Sequence, residues 1–478
     1  MMPHARLPGY RPCLSALLAL ALAACGPAPS FQAPEPGEAS AGGATTVQRT
    51  DRHAFSLPAA NLPLSRQVDF SVGNSFFRSP WVIAPSTTTA RDGLGPLFNA
   101  NACQACHIRD GRGHPPAPDA LNAVSMLVRL SIPAQPADQA VVARSGVVPE
   151  PTYGIQLQDM AIPGITPEGR VRVDYTAVPV RFADGHVVTL RRPQLRIDAL
   201  GYGPMHPATQ FSARIAPPMI GLGLLEAIPE RAILARAAQQ PALGLKGQPN
   251  WVFDEATGAV ALGRFGWKAG QPTLDQQNAH AAAQDMGLST SLLPAQSCTM
   301  AQQACHAAPT GEGPGGEAEI SDNIRRLLQF YTRHVAVPAR RGVATAPVLA
   351  GKRLFHAAGC QGCHVPQWTT AADGVEPALA GQRIWPYTDL LLHDMGEGLA
   401  DHRPEFLASG QQWRTPPLWG LGLGRAVSGH SQLLHDGRAR DPLEAVLWHG
   451  GEAAPARDRV LAFNADQRAA LLAFLDSL

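Results

Sequence analysis

The sequence predicts a mainly α fold of two tandem helical domains, the first carrying a β-hairpin-containing insertion. Three observations carry that reading: a duplicated C-x-x-C-H motif, apolar residues at helical spacing around it, and a stretch of alternation between the two copies. The copies are Cys103-Gln104-Ala105-Cys106-His107 and Cys360-Gln361-Gly362-Cys363-His364. Leu97-Phe98 precedes the first at the same distance as Leu354-Phe355 precedes the second. Both units therefore start alike, and in each an apolar helix is predicted to run into the motif.

The remaining elements follow in order. Val171, Val173 and Tyr175 alternate, Val178, Val180 and Phe182 continue the pattern, and Asp184-Gly185 makes the turn toward Val187 and Leu190. This reads as a β-hairpin inside an insertion at about 150–200. Ile324, Leu327, Leu328 and Tyr331 fall at helical spacing after Ser321, and Pro338 follows, which sets a domain boundary there. Asn464 with Gln467 three residues on predicts an N-capped closing helix bearing Leu471, Leu475 and Leu478. The predicted organisation is a leader over 1–24, a flexible tether over 25–60, a first domain over 61–337 and a second over 338–478.

Length and composition agree with two cores, since the chain has 478 residues and a 45% hydrophobic fraction. The 39 Lys+Arg nearly cancel the 38 Asp+Glu, so there is no basic field for a phosphate backbone and nucleic acid is excluded as a partner class. Gly 46 and Pro 44 favour long irregular connections around compact elements.

The motif chemistry is specific. In C-x-x-C-H the two thiols add to the vinyl groups on one edge of a porphyrin, and the next imidazole reaches the iron as its proximal ligand. A zinc site or a thioredoxin-like pair would leave both histidines without a purpose. Two covalently bound c-type haems are therefore predicted, one held by Cys103, Cys106 and His107, the other by Cys360, Cys363 and His364. The two domains become cytochrome-c-like.

The leader bears Arg6 and Arg11, then an apolar run from Cys13 to Ala24, and reaches Leu22-Ala23-Ala24-Cys25-Gly26. The run is too short to span a bilayer, and the small residues before a cysteine form a lipoprotein cleavage site. Cys25 is the predicted lipidated residue, placing the protein on the periplasmic side of a bacterial membrane, on the outer membrane by preference. In such a compartment Cys298 and Cys305 read as a local disulfide, with a redox pair as the alternative.

Longer stretches resemble a known family. They are Arg91-Asp92-Gly93-Leu94-Gly95-Pro96-Leu97-Phe98-Asn99-Ala100, Gly221-Leu222-Gly223-Leu224-Leu225-Glu226-Ala227-Ile228, Phe265-Gly266-Trp267-Lys268, Asp285-Met286-Gly287, Pro386-Tyr387-Thr388-Asp389-Leu390-Leu391-Leu392-His393-Asp394-Met395-Gly396 and Leu434-His435-Asp436-Gly437-Arg438-Ala439. With these, the chain resembles the di-haem oxidoreductases, relatives of the bacterial di-haem cytochrome c peroxidases, over roughly residues 65–478. The resemblance implies a tryptophan between the haems, then a glutamine and an acidic residue before Met-Gly. Trp267, Gln277 and Asp285 stand in that order, Asp285 being shorter than the relatives' glutamate and two residues nearer the glutamine.

Physical chemistry agrees with these roles. An indole is a plausible bridge for electrons, and a carboxylate in the first haem's pocket can take a proton from peroxide and return it. Glu226, in an apolar run, is the rival acid. The resemblance also implies a displaceable distal histidine on the first haem, for which His206 is the candidate and His114 a weaker one. For the second haem it implies a ligand after the His-Asp-Gly motif, where His449 stands with Met395 as runner-up. Calcium between the domains is doubtful, because the usual asparagine is Ile215 here.

The function expected is a di-haem c-type oxidoreductase of peroxidase type. Electrons from a small donor protein or a quinol-linked donor enter at the second haem and pass to the first, where hydrogen peroxide is reduced. The alternatives are a pure electron-transfer cytochrome and an oxidase of a protein or organic substrate acting through a high-valent haem.

Overall fold

Two pairs of crossing helices, one in each half, organise the structure. The computed structural model describes residues 1, 31–313 and 315–478; the leader from residue 2 on and Cys25 lie outside the described residues. In the first pair, helix Gln67–Arg78 lies on helix Asp322–His334. Gly73 makes the contact possible: a Cβ there would meet the Leu327 carbonyl oxygen at 2.2 Å. The side chain of Ser321 accepts from the Ile324 amide, so this helix starts where its capping signal stands. In the second pair, helix Ala346–Ala358 crosses helix Ala465–Ser477. Gly351 plays the part of Gly73, with a Cβ position 1.9 Å from the Ala470 carbonyl oxygen. Asn464 and Gln467 complete a reciprocal capping box.

The helix predicted to run into the first motif is absent. Asp92-Gly93-Leu94-Gly95-Pro96 turns the chain, Gly93 at φ +95°, and Pro96 has no amide to donate. Leu97–Phe98 forms a short strand against Met160–Ala161 instead. At the second motif the prediction holds in geometry: helix Ala346–Ala358 ends at the left-handed Gly359, and Cys360 follows.

The mainly α expectation needs correction, because the structure is 32% helical and 18% strand. Strands concentrate between the motifs. Arg170–Arg181 and Val187–Asp198 form an antiparallel hairpin closed over Asp184-Gly185. Its tip reaches the C-terminal half, where Arg468 pairs with Asp184 at 2.7 Å and the Ala183 amide donates to the Leu461 carbonyl. A second, three-stranded antiparallel sheet has Met126–Ser131 at its centre, flanked by Gln156–Leu157 and Gln210–Ile215. It sets Arg129 opposite Gln156. The halves share one contiguous apolar core, from Phe70 through Trp267 to Leu478.

Residues 31–60, expected as a tether, are docked. Ala41, Ala54 and Phe55 are buried, the Ala59 amide donates to the His334 carbonyl, and the Trp385 amide donates to the Ala41 carbonyl. Glu38 is buried between Arg340, its ion-pair partner, and Lys352 at 2.8 Å. Pairing through backbone groups and single charges leaves no apolar period in a sequence, which is why this segment reads as loose. Among the described residues no helix is long and apolar enough to cross a membrane.

Burial opposes the charge on Glu38, but Arg340 and Lys352 outweigh it and hold the carboxyl below its usual 4.5. Glu38→Ala, which strands the buried Arg340 and leaves Lys352 only Glu35 at 2.5 Å, is expected to destabilise the protein by about 3–5 kcal/mol in denaturant titrations. The native pKa is depressed, so the pair's contribution is present above the unfolded value and is lost as pH falls through the folded one. The acid limb of the wild-type stability curve should therefore flatten in the variant.

Candidate functional site: two apolar cavities with a common wall

Each C-x-x-C-H motif opens into a large, mainly apolar cavity. Cys103, Cys106 and His107 line the first, and Cys360, Cys363 and His364 line the second. None of the four cysteines is in a disulfide. Burial pushes the Cys103 and Cys360 thiols up to about 12.

Both motif histidines are oriented by a backbone carbonyl. His107 Nδ1 lies 2.8 Å from the Pro217 oxygen, and His364 Nδ1 lies 2.9 Å from the Tyr387 oxygen. A carbonyl only accepts, so Nδ1 carries the proton and Nε2 keeps its lone pair free. Burial lowers both imidazoles to about 4, leaving them neutral at pH 7. A neutral imidazole with its second nitrogen held by a carbonyl has the form a metal ligand requires.

The cavities meet at a wall of Trp267, Arg112, Arg414, Pro416 and Pro417, each of which lines both. Trp267 is buried, and its Nε1 donates to the Ile215 carbonyl at 2.8 Å. His435 stands beside it at 6.5 Å between ring centroids and stacks on Trp413 at 3.7 Å. Ile215, at the position weighed for calcium, presents an apolar side chain, and its carbonyl is engaged by Trp267.

Helix Leu274–Met286 brings Gln277, His280 and Asp285 to the first cavity. Burial raises the Asp285 carboxyl, against the pull of Arg129, and its Oδ1 accepts from Gln156 Nε2 at 2.9 Å. His449 and Met395 both line the second cavity. His449 donates from Nδ1 to the Ala445 carbonyl at 2.7 Å, which leaves its Nε2 free like those of the motif histidines.

Three sequence candidates stand elsewhere. Glu226 accepts the Leu274 amide at 2.8 Å and pairs with Arg333 at 2.5 Å, and it lines neither cavity. It is a helix-terminus acceptor, the position where a carboxylate is favoured by the free amides. His206 is an exposed loop residue whose amide donates to Glu150 and whose Nδ1 accepts from Ala208. His114 turns its Nδ1 to the Pro115 carbonyl and its ring edge to His430. Neither histidine lines a cavity. Cys298 and Cys305 are joined as a disulfide.

A family model described as "Di-haem oxidoreductase, putative peroxidase" matches residues 37–478. The chain belongs to this family of di-haem oxidoreductases. No curated protein matches the sequence. Among solved structures, hydrazine synthase of Kuenenia stuttgartiensis pressurised with 20 bar xenon is similar over 87% of this chain and 94% of that one, at 11% identity and a TM-score of 0.30.

The residues present fit the two haems of a di-haem oxidoreductase. There are two apolar cavities, each holds a neutral imidazole with a free Nε2, and each holds a pair of protonated thiols. Arg112, half-buried in the wall with no ion-pair partner among the described residues, and Arg414, bound only to carbonyls, are cations available to carboxylate groups.

Sequence reasoning passed over His280, Arg129, His393 and His435. The signal for His280 was its place three residues after Gln277 on the same helix. His393 and His435 stood inside stretches already singled out. His393 is held at Nε2 by Asp389 at 2.9 Å and at Nδ1 by Glu452 at 3.1 Å. Arg129 carried no signal, because its neighbours come from three separate elements.

Glu226→Gln should lower stability by about 1–3 kcal/mol through loss of the charge opposite Arg333. Absorption spectra of the haems should stay as in the wild type, measured beside the denaturation midpoint.

Proposed function

We propose that this di-haem oxidoreductase is a c-type peroxidase. Its haems are attached through Cys103 and Cys106 and through Cys360 and Cys363, with His107 and His364 as proximal ligands. Electrons enter at the second site and leave it through the wall at Trp267, and hydrogen peroxide is reduced at the first. When bound, the haems supply one-electron redox chemistry and, at the first site, an iron that takes peroxide.

The observation that carries this reading is the difference between the two cavities across a shared indole. The first holds Gln277, Asp285, His280 and Arg129, a set able to move a proton and hold an anion. The second holds Met395 and His449, either of which would be able to help hold the group bound there. His449 is the preferred ligand there, since its Nδ1 is already oriented by a carbonyl.

Within the chain, Trp267 keeps a fixed ring plane because its Nε1 is tied to Ile215 and its carbonyl accepts from the Arg414 amide. The polar residues of the first cavity orient the entering molecule, and the apolar lining keeps bulk water from the site. The leader supports export and lipid attachment at Cys25 on the periplasmic side, and the Cys298–Cys305 disulfide suits that compartment. A small donor protein or a quinol-linked donor would supply the electrons.

Trp267→Leu should slow electron transfer between the sites about tenfold or more, a barrier increase of roughly 1.4 kcal/mol per decade. Rapid-mixing absorption spectroscopy on half-reduced protein reads this, with peroxide turnover falling in parallel and haem content unchanged. Turnover at the wild-type rate in Trp267→Leu would remove the indole from the path.

A further inference from the structure

Several polar side chains of the first cavity, Gln277 and Arg112 among them, have no hydrogen-bond partner among the described residues, and His280 and Arg129 are two more. His280 lines the cavity from helix Leu274–Met286, and its ring forms no hydrogen bond among the described residues. Arg129 lines it from the central strand Met126–Ser131, and its guanidinium forms no hydrogen bond or ion pair among the described residues. Two carboxylates lie near them, and Asp285 interacts with Arg129 through its charge without an ion-pair contact. Glu405 is held by Arg214 at 2.8 Å and Arg403 at 3.0 Å, and Asp285 accepts from Gln156. An unbonded imidazole and an unbonded guanidinium, both half-buried and lining one cavity, form an arrangement useful to a ligand that brings a proton and becomes an anion.

We propose that His280 is the proton acceptor for the molecule entering the first cavity, and that Arg129 is the fixed positive charge that holds the anion so formed. The ligand class is a small neutral weak acid, of which hydrogen peroxide and hydrogen cyanide are members. The proposal rests on reading the first cavity as the peroxide site.

Burial, reinforced by Arg129, lowers the His280 imidazole to about 4, so at pH 7 it is neutral and ready to accept. Hydrogen peroxide gives one O–H proton to His280, and the hydroperoxide anion lies against Arg129. As the O–O bond breaks, the same proton passes from His280 to the departing oxygen, which leaves as water. Two electrons from the one-electron donor and two protons from solvent complete the change of one peroxide into two waters. Asp285, whose Oδ1 is occupied, positions helix and sheet through Gln156 and is not the acceptor.

The test uses the oxidised full-chain holoprotein and potassium cyanide, which enters as hydrogen cyanide and must lose its proton on binding. Association and release are followed by haem absorption at pH 7. His280→Gln keeps volume and polarity but is a far poorer base, and it should slow association about a hundredfold. Arg129→Leu should weaken binding about tenfold, mainly by faster release. Haem content of both variants is checked by the pyridine haemochrome, and each reports from a different element, so a folding failure in one leaves the other decisive.

A greater slowing in Asp285→Asn than in His280→Gln would overturn the proposal in favour of the carboxylate. Faster cyanide binding in His280→Gln together with a gain of high-spin signal would overturn it by making His280 an axial ligand. Wild-type holoprotein that binds no cyanide at the His107 haem would instead sink the underlying reading of the cavity.

Discussion

The site depends on two hydrogen bonds from imidazole to backbone carbonyl, His107 to Pro217 and His364 to Tyr387. Each fixes a tautomer and a ring direction, and burial keeps each ring neutral. Neither carbonyl belongs to a helix or strand: Pro217 lies in Ala-Pro-Pro after the strand Gln210–Ile215, and Tyr387 sits at φ +56° in an irregular run. The many glycines and prolines thus have a structural purpose. A carbonyl bound into a helix or sheet ladder has less freedom to turn toward a side chain, so the chain must leave regular structure where it orients a ligand.

With both imidazoles fixed, the wall between the cavities becomes the next constraint. Trp267 touches both, and it is tied at Nε1 and at its carbonyl. The charges then sort by side. Arg129, Arg214, Arg403 and Glu405 gather at the first cavity, while His393 sits between Asp389 and Glu452 at the second. Two sites built from the same motif acquire different surroundings because different elements enclose them.

Those enclosing elements also hold the halves together. The hairpin grows from the first half and binds the second through Asp184, Ala183 and Arg191, the last donating to the carbonyls of Gly437 and Arg438. The segment 31–60 reaches His334 on one side and Arg340 and Trp385 on the other. Sequence alternation was enough to reveal the hairpin, since a half-buried strand writes its period into its side chains. It could not reveal the docking, which runs through carbonyls, amides and single charges.

The sequence by itself determined the two C-x-x-C-H sets, the capped helices after Ser321 and Asn464, the hairpin turn at Asp184-Gly185 and the order Trp267, Gln277, Asp285. All of these are local signals, with spacing and chemistry contained within about twenty residues. Only the tertiary structure decided that Glu226 turns to Arg333, that His206 stays in a surface loop, and that His280 and Arg129 face one cavity. Those outcomes depend on which distant groups arrive alongside. A carboxylate or an imidazole looks the same in sequence whether a guanidinium more than a hundred residues away neutralises it or leaves it free.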